Sequence, residues 1–187
     1  MTVSEKSKKV ISKFQIKKVV QGRGHDMGGL ICDVYFNRKK VATFHDDGWG
    51  GDPEVHFTNK EVEKEIEDYL TKSKFNEIMF NDGWDFMGTP KDINFRCQFD
   101  HAVEELATLI LVQKQVKKIE RACKNKIVFG TTERYSEFSW KGIKDLKDLL
   151  RYKNGLSILQ NTYDTAKEKG QPILNKESQL LELGVVL

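Results

Sequence analysis

The feature that most constrains the fold is a set of four strand-like segments, separated by turn residues, near the start of the chain. The segments cover residues 14–20, 30–36, 40–45 and 54–57 and are rich in β-branched and aromatic side chains. Glycine, asparagine and aspartate dominate the stretches between them. Because the connections are short, the segments predict an antiparallel meander.

The register of this meander can be predicted from burial. The turn at residues 37–39 places Val34 opposite Ala42 and Cys32 opposite Phe44, and we expect Phe44 to pair with Phe57. These apolar residues then share one face with the apolar residues of the first segment. A one-residue slip would divide them between the two faces, so burial favours this register.

The opposite face of the predicted sheet collects polar residues. In this register His45 lies opposite His56, and Asp33 lies opposite Lys17. Two imidazoles and the Asp33 carboxylate are a ligand set suited to zinc. Alternatively, His45 and His56 act as acid and base in a hydrolase or nuclease, with Lys17 stabilising charge. The plainer interpretation is structural, because the spacing matches no standard motif, and we predict no cofactor.

Two glycine-rich loops lie at the same end of the meander, at residues 22–29 and 46–53. The first carries His25 and Asp26, and the second places Trp49 between two glycines. A tryptophan at a loop tip is typical of a binding hot spot. We therefore predict a partner-binding surface made of Asp46, Asp47 and Trp49 from this loop and of Trp84, which ends a second Asp-Gly-Trp sequence. The alternative is that both indoles fold back onto the body of the protein.

Helical patterns follow the meander. Thr58 and Glu61 form a capping-box pattern that predicts the start of a first helix. A long helix is predicted over residues 100–124. Its apolar residues are spaced 3-4-3-4 and predict a buried stripe: Leu109, Val112, Val116, Ile119 and Cys123. Its basic residues lie on another face and favour an alternative function, nucleic-acid binding together with the basic N-terminus: Lys114, Lys117, Lys118, Arg121 and Lys124.

The remaining chain predicts a small hairpin, over residues 127–129 and 135–140, and a helical C-terminal part. The fold class is therefore α+β, with a flexible basic tail at 1–9 and a single domain at 10–187. Within that domain we expect the sheet and capped helix at 10–72, and the long helix, hairpin and C-terminal helices at 95–187. The chain has 187 residues, which suits one domain.

Composition narrows the cellular setting. The three cysteines form no C-x-x-C pair, which favours a reducing compartment and a cytoplasmic protein. The longest aliphatic run, residues 109–112, is too short to cross a membrane, so no membrane partner is expected. A net charge of +3 does not by itself imply nucleic acid.

The segment Arg38-Lys-Lys-Val-Ala-Thr-Phe-His-Asp-Asp-Gly-Trp-Gly-Gly51 resembles a group of small uncharacterised proteins from bacteriophages, mobile elements and gut bacteria. The C-terminal stretch from Ile173 to Gly184 is similar to theirs. The resemblance implies no reaction and no catalytic residue. It implies a phage or mobile-element accessory protein that binds a host component, such as a defence nuclease, in an anti-CRISPR-like way. We therefore expect a non-enzymatic binding or inhibitor protein with a protein partner in a bacterial host cell.

Overall fold

The computed structural model describes residues 4–22, 29–84 and 88–187, and the chain divides into two compact units. The N-terminal unit covers residues 1–109 and the C-terminal unit covers residues 110–187. The single domain over residues 10–187 stays a prediction. The α+β class, with one four-stranded sheet, one two-stranded sheet and a long helix, is confirmed.

The sheet of the N-terminal unit is the predicted antiparallel meander. Its strands are β1 (Phe14–Gln21), β2 (Leu30–Phe36), β3 (Lys39–Asp46) and β4 (Glu54–Phe57). They lie in the order β1-β2-β3-β4, and every neighbouring pair is antiparallel. Short connections between strands rich in β-branched and aromatic residues therefore give the simplest topology.

The predicted register is confirmed between β2 and β3 and is wrong between β3 and β4. Cys32 pairs with Phe44 as expected, but Phe44 pairs with Val55 rather than with Phe57. The error is two residues. Because side chains alternate with a period of two, a two-residue slip leaves every side chain on its predicted face. Burial therefore could not distinguish the two registers.

The core of the N-terminal unit lies between the inner face of the sheet and four helices. The helices are α1 (Glu5–Ile11), α2 (Lys60–Lys72), α3 (Phe75–Asn81) and the first part of α4 (Phe95–Ala122). Phe99 of α4 is fully buried, and its ring lies 6.1 Å from that of Phe14 and 5.0 Å from that of Phe57. Aromatic side chains bury large areas, so these rings supply much of the core's stability.

Two helix starts differ from the sequence predictions. Residues 5–9 were expected in a flexible tail, but they lie in α1, whose Val10 and Ile11 are buried. Helix α2 is capped by Asn59, whose side chain accepts a hydrogen bond of 2.8 Å from the Val62 N–H. The predicted cap, Thr58, lies one residue earlier. Asn and Thr both cap helices well, so adjacent candidates are hard to separate by sequence.

Helix α4 is the predicted long helix, but most of its predicted apolar stripe is not buried. Ile119 and Cys123 are buried in the C-terminal unit, whereas three members of the stripe are exposed: Leu109, Val112 and Val116. In the N-terminal unit the buried face is formed by other positions, Phe99, Val103 and Ala107. The prediction of one continuous buried stripe is wrong, because the helix buries different positions in the two units.

The C-terminal unit packs a hairpin against short helices. Its elements are β5 (Lys126–Gly130), β6 (Tyr135–Ser139), a 3₁₀ helix (Leu146–Arg151), α5 (Gly155–Glu168) and α6 (Glu177–Glu182). A Cβ atom on Gly155 would lie 1.7 Å from the Leu149 carbonyl oxygen, so only glycine fits this close approach. Within the described residues, no helix is long and apolar enough to cross a membrane.

Candidate nucleic-acid interface

A groove of about 940 Å³ opens on the surface of the C-terminal unit. One wall comes from the end of α4 and the residues that follow it: Lys118, Arg121, Ala122, Asn125 and Lys126. The other wall comes from the hairpin and a later loop: Glu133, Arg134, Tyr135, Ser136, Glu137 and Gln171. Four of these side chains are cationic and two are anionic.

Buried hydrogen bonds fix the turn that joins α4 to β5. Asn175 is buried, and its amide group donates to the carbonyls of Cys123 at 3.1 Å and Lys126 at 2.8 Å. Its side-chain oxygen accepts from the Val128 N–H at 2.8 Å. Since these bonds tie both ends of the turn to one side chain, Asn175 sets the position of the α4 wall relative to the hairpin.

The hairpin turn is equally constrained. Gly130 has a φ of +123°, and a Cβ atom there would lie 2.5 Å from the Arg134 carbonyl oxygen. The Thr131 N–H donates to that carbonyl at 2.8 Å, and the Arg134 N–H donates to the Thr131 hydroxyl at 3.1 Å. A glycine at this position permits the turn that brings Arg134 to the groove.

The cations of the groove are largely uncompensated. Among the described residues, Lys118, Arg121 and Arg134 have no carboxylate within ion-pair distance. Lys126 pairs with Glu137, so these two charges offset each other. The Lys118 ammonium lies 6.0 Å from the centroid of the Tyr135 ring, where the face of the ring attracts a cation. The groove therefore presents three positive charges without ion pairs, against the one remaining acid Glu133, beside an aromatic ring.

The two units also differ in total charge. The C-terminal unit has 15 Lys and Arg against 9 Asp and Glu, a net charge of +6. The N-terminal unit has 16 against 19, a net charge of −3. The modest charge of the whole chain hides a strongly basic unit, and a field of this sign raises the local concentration of polyanions.

The predicted basic face of α4 is partly used by the groove. All five predicted residues are exposed, but only Lys118 and Arg121 line the groove, whereas Lys114, Lys117 and Lys124 do not. Lys126, Arg134 and Tyr135 were not predicted from the sequence. The predicted hairpin directly follows the basic helix in the sequence, and this adjacency is the signal that could have placed the two elements together.

The chain matches no family model, no curated protein and no solved structure. Its function has to be inferred from the geometry of its own residues.

The histidine pair of the N-terminal unit is looser than predicted. His45 lies opposite Glu54, and His56 lies opposite Thr43, so the two imidazoles are not directly opposed. The nearest imidazole nitrogens lie 3.8 Å and 3.7 Å from the same Glu54 carboxylate oxygen, too far for hydrogen bonds. The predicted cross-strand pair is wrong because of the two-residue slip.

Asp33, the predicted third metal ligand, is bound by lysines. Its carboxylate lies 2.5 Å from the ammonium of Lys40 and 2.9 Å from that of Lys18. Hydrogen bonds from Lys40 and then Lys18 hold the pKa of Asp33 below its usual range. Lys17 pairs with Asp33 across the strands as predicted, but its ammonium lies 4.3 Å from the centroid of the Tyr35 ring. Each of these side chains already has a structural partner.

The described residues contain no group of three or more His, Cys, Asp or Glu side chains that could hold a metal ion. His25 and Asp26, which were expected near the histidines, lie outside the described residues. Two of the three cysteines, Cys32 and Cys123, are buried. Burial raises the pKa of the Cys32 thiol to about 12 and that of Cys123 to about 11, so both stay protonated at neutral pH.

The two tryptophans of the predicted partner surface differ in exposure. Trp49 is 68 % exposed, on a loop held by the Asp46 and Asp47 carboxylates, which accept from the N–H groups of Gly48 at 2.8 Å and Trp49 at 2.9 Å. Trp84 is half-buried, and its ring centroid lies 5.7 Å from that of His101. The loop therefore displays Trp49, while Trp84 packs on α4.

Two carboxyl groups on α4 were not singled out by sequence analysis. Burial raises the pKa of Asp100 to about 6, against the nearby charge of Arg96. Loss of water, followed by repulsion from Asp100 and Asp46, raises the pKa of Glu104 to about 7, although part of this side chain is exposed. Nothing in the spacing of these residues distinguished them from the solvated acids of other helices.

Proposed function

We propose that this chain is a non-enzymatic binding protein whose C-terminal unit binds nucleic acid in the groove between α4 and the β5–β6 hairpin. One observation carries the proposal. Three cations that have no carboxylate partner in the described part of the chain, Lys118, Arg121 and Arg134, line one groove in a unit with a net charge of +6.

The physical reason is the release of counterions. A nucleic acid keeps a condensed layer of cations, and each phosphate neutralised by Lys or Arg frees some of them. The free energy gained on binding is largest when the protein cations do not first have to leave a carboxylate. Among the described residues, Lys118, Arg121 and Arg134 have no carboxylate partner. The guanidinium groups of the two arginines also suit bidentate contacts with phosphate.

The test is a double variant, Lys118→Ala with Arg121→Ala, whose binding to labelled DNA and RNA is measured by fluorescence anisotropy over a salt series. We expect the affinity to fall about 10- to 30-fold, from roughly 1 kcal/mol for each lost contact. The slope of log K against log salt should fall by roughly 1.4 to 1.8, because two phosphate contacts are lost.

The matched control is Lys144→Ala with Lys153→Ala. Both lysines are exposed in the same unit and lie outside the groove, so this variant removes the same charge. Equal losses in the two variants would show that only net charge matters and would contradict the groove. No binding by the unmodified protein at low salt would overturn the proposal itself.

A second candidate function is protein binding through the Trp49 loop, and the exposure of that indole favours it. A large aromatic side chain on a loop held by two side-chain-to-backbone hydrogen bonds is displayed at little cost in conformational entropy. The inhibitor role and the phage or mobile-element context stay predictions from the sequence resemblance.

A tagged pull-down from a bacterial lysate, with and without nuclease, separates the two candidates. A stoichiometric protein that survives nuclease and is lost in Trp49→Ala, but not in Lys118→Ala with Arg121→Ala, would support the second candidate. Retention that depends on nucleic acid and on the groove variant, and not on Trp49, would contradict it.

A further inference from the structure

Strand β6 forms part of the groove of the C-terminal unit. Three consecutive residues of this strand, Tyr135, Ser136 and Glu137, line it. Within the described residues β6 pairs with β5 alone, so the other edge of β6 is open.

The pairing of the hairpin shows which backbone groups face this edge. The Thr131 N–H donates to the Arg134 carbonyl, so these two residues form a hydrogen-bonded pair. Hydrogen-bonded and non-hydrogen-bonded pairs alternate along an antiparallel ladder, and the next hydrogen-bonded pair is therefore Phe129 with Ser136. The other edge of β5 shows the same alternation. Val128, which lies opposite Glu137, forms its backbone hydrogen bonds outward, with Asn175 and Leu174.

The N–H and C=O groups of Tyr135 and Glu137 therefore point away from β5, at the open edge of β6. These are donors and acceptors in fixed positions.

Tyr135 adds a platform beside this edge. Its side chain packs against the buried cluster of Ile119, Cys123 and Val128, and it also lines the groove. Packing fixes the ring, and the only cation near its face, among the described residues, is Lys118 at 6.0 Å. A base can stack on such a ring while the ammonium group moves to a phosphate.

We propose that the groove selects single-stranded nucleic acid, with an unpaired base stacked on Tyr135 and base edges bonded to the open edge of β6. This inference rests on the proposed function. The bases of a duplex are stacked and paired with each other, so they can use neither the ring nor the strand edge. A polyanion that used only Lys118, Arg121 and Arg134 would show no preference.

The experiment compares labelled single-stranded RNA and DNA of about 12 nucleotides, a length within the usual site sizes, with duplexes of the same sequence. Single strands should bind at least tenfold more tightly. Tyr135→Leu should weaken single-strand binding about 5- to 100-fold, since one stacked base contributes about 1–3 kcal/mol. Tyr135→Phe, which keeps the ring, should retain it, and duplex binding should be unchanged in both variants.

A second measurement needs no variant. Irradiation of the unmodified protein with a strand containing 5-bromouracil should crosslink the base to Tyr135, and the position is mapped by mass spectrometry. A crosslink outside the groove would overturn the stacking assignment. This arm keeps the inference testable if Tyr135→Leu does not fold.

The outcomes distinguish the inference from the proposed function. Failure to bind any nucleic acid would overturn both. Equal binding of duplex and single strand, or equal losses for both in Tyr135→Leu, would overturn the single-strand inference and leave the proposed function standing. Tighter binding of a polyglutamate peptide than of the single strand would also overturn it, because an acidic peptide would then be the better occupant of the strand edge.

Discussion

Lysine clusters occur in both units, but they differ in what lies among the cations. On the outer face of the N-terminal sheet, the nearly buried carboxylate of Asp33 lies between the ammonium groups of Lys18 and Lys40. In the groove of the C-terminal unit, Lys118 and Arg121 have no such partner among the described residues.

The comparison shows that the number of lysines is a poor guide to polyanion binding. A paired ammonium group must leave its carboxylate before it can contact a phosphate, whereas an unpaired one needs to leave only water. The N-terminal segment contains more lysines than acids in the sequence, yet the structure uses part of that surplus to hold Asp33. The three cations of the groove that have no carboxylate partner among the described residues lie in the other unit.

The largest expected effect comes from removing the side chain that holds the groove in shape. Asn175→Ala leaves the Val128 N–H and the Lys126 carbonyl without their partners, so the free energy of unfolding should fall by about 2–4 kcal/mol. Urea denaturation measures the loss. Nucleic-acid affinity should also fall, although Asn175 does not line the groove.

Asn161→Ala is the control, because Asn161 is an exposed residue of α5 with no structural bond from its side-chain amide among the described contacts. It should change stability little. If Asn175→Ala were as stable as Asn161→Ala, the turn between α4 and β5 would not depend on Asn175. The shape of the groove would then not depend on that side chain.

A smaller effect, in binding rather than stability, is expected from Asp33→Ala. Without the carboxylate, Lys18 and Lys40 become unpaired, and the sheet face should gain affinity for duplex DNA of about fivefold to thirtyfold from one or two new contacts of roughly 1 kcal/mol. The gain is best measured in the background of Lys118→Ala with Arg121→Ala, where the groove contributes least.

Asp68→Ala is the matched control, since it removes one exposed acid of α2 from the same unit. An equal gain in both variants would mean that net charge, and not local pairing, separates the two regions. Asp33→Ala should also lower stability at neutral pH. The pKa of Asp33 is lowered by folding, so its contribution is present above the unfolded pKa and is lost as the pH falls through the folded pKa.

The sequence predicted the parts of the fold that depend on local pattern. Alternating apolar residues gave the meander and the face of every strand, and glycine and threonine at residues 130–131 gave the hairpin. The β3–β4 register was predicted wrongly because a slip of two residues leaves the buried face of each strand unchanged. The buried face of α4 was predicted wrongly because it depends on which elements pack against each part of the helix.

The candidate site was half predicted for the same reason. Lys118 and Arg121 were found because a basic helical face is a local pattern. Arg134 and Tyr135 come from the hairpin, and no local pattern shows which side of a hairpin meets a helix. Asn175 was missed because its hydrogen bonds join residues 47 to 52 positions apart.

The smallest expected effect tests whether the charge difference between the units depends on pH. Folding raises the pKa of Glu104 to about 7 and that of Asp100 to about 6, so the N-terminal unit takes up protons as the pH falls towards 6. A carboxyl whose pKa is raised by folding stabilises the protein below its unfolded pKa. That contribution is lost as the pH rises through the folded pKa.

Glu104→Gln mimics the protonated form and should remove part of this loss. At pH 8 the variant should melt higher than the unmodified protein by on the order of 1 °C, a small shift because part of the side chain is exposed. At pH 4.5 the two should melt together. Glu67→Gln, on the exposed surface of α2, should show no such difference. A variant that melts lower than the unmodified protein at pH 8 would show that Glu104 is stabilised as a carboxylate. The acidic character of the N-terminal unit would then persist across the whole range, and the contrast with the basic groove would not depend on pH.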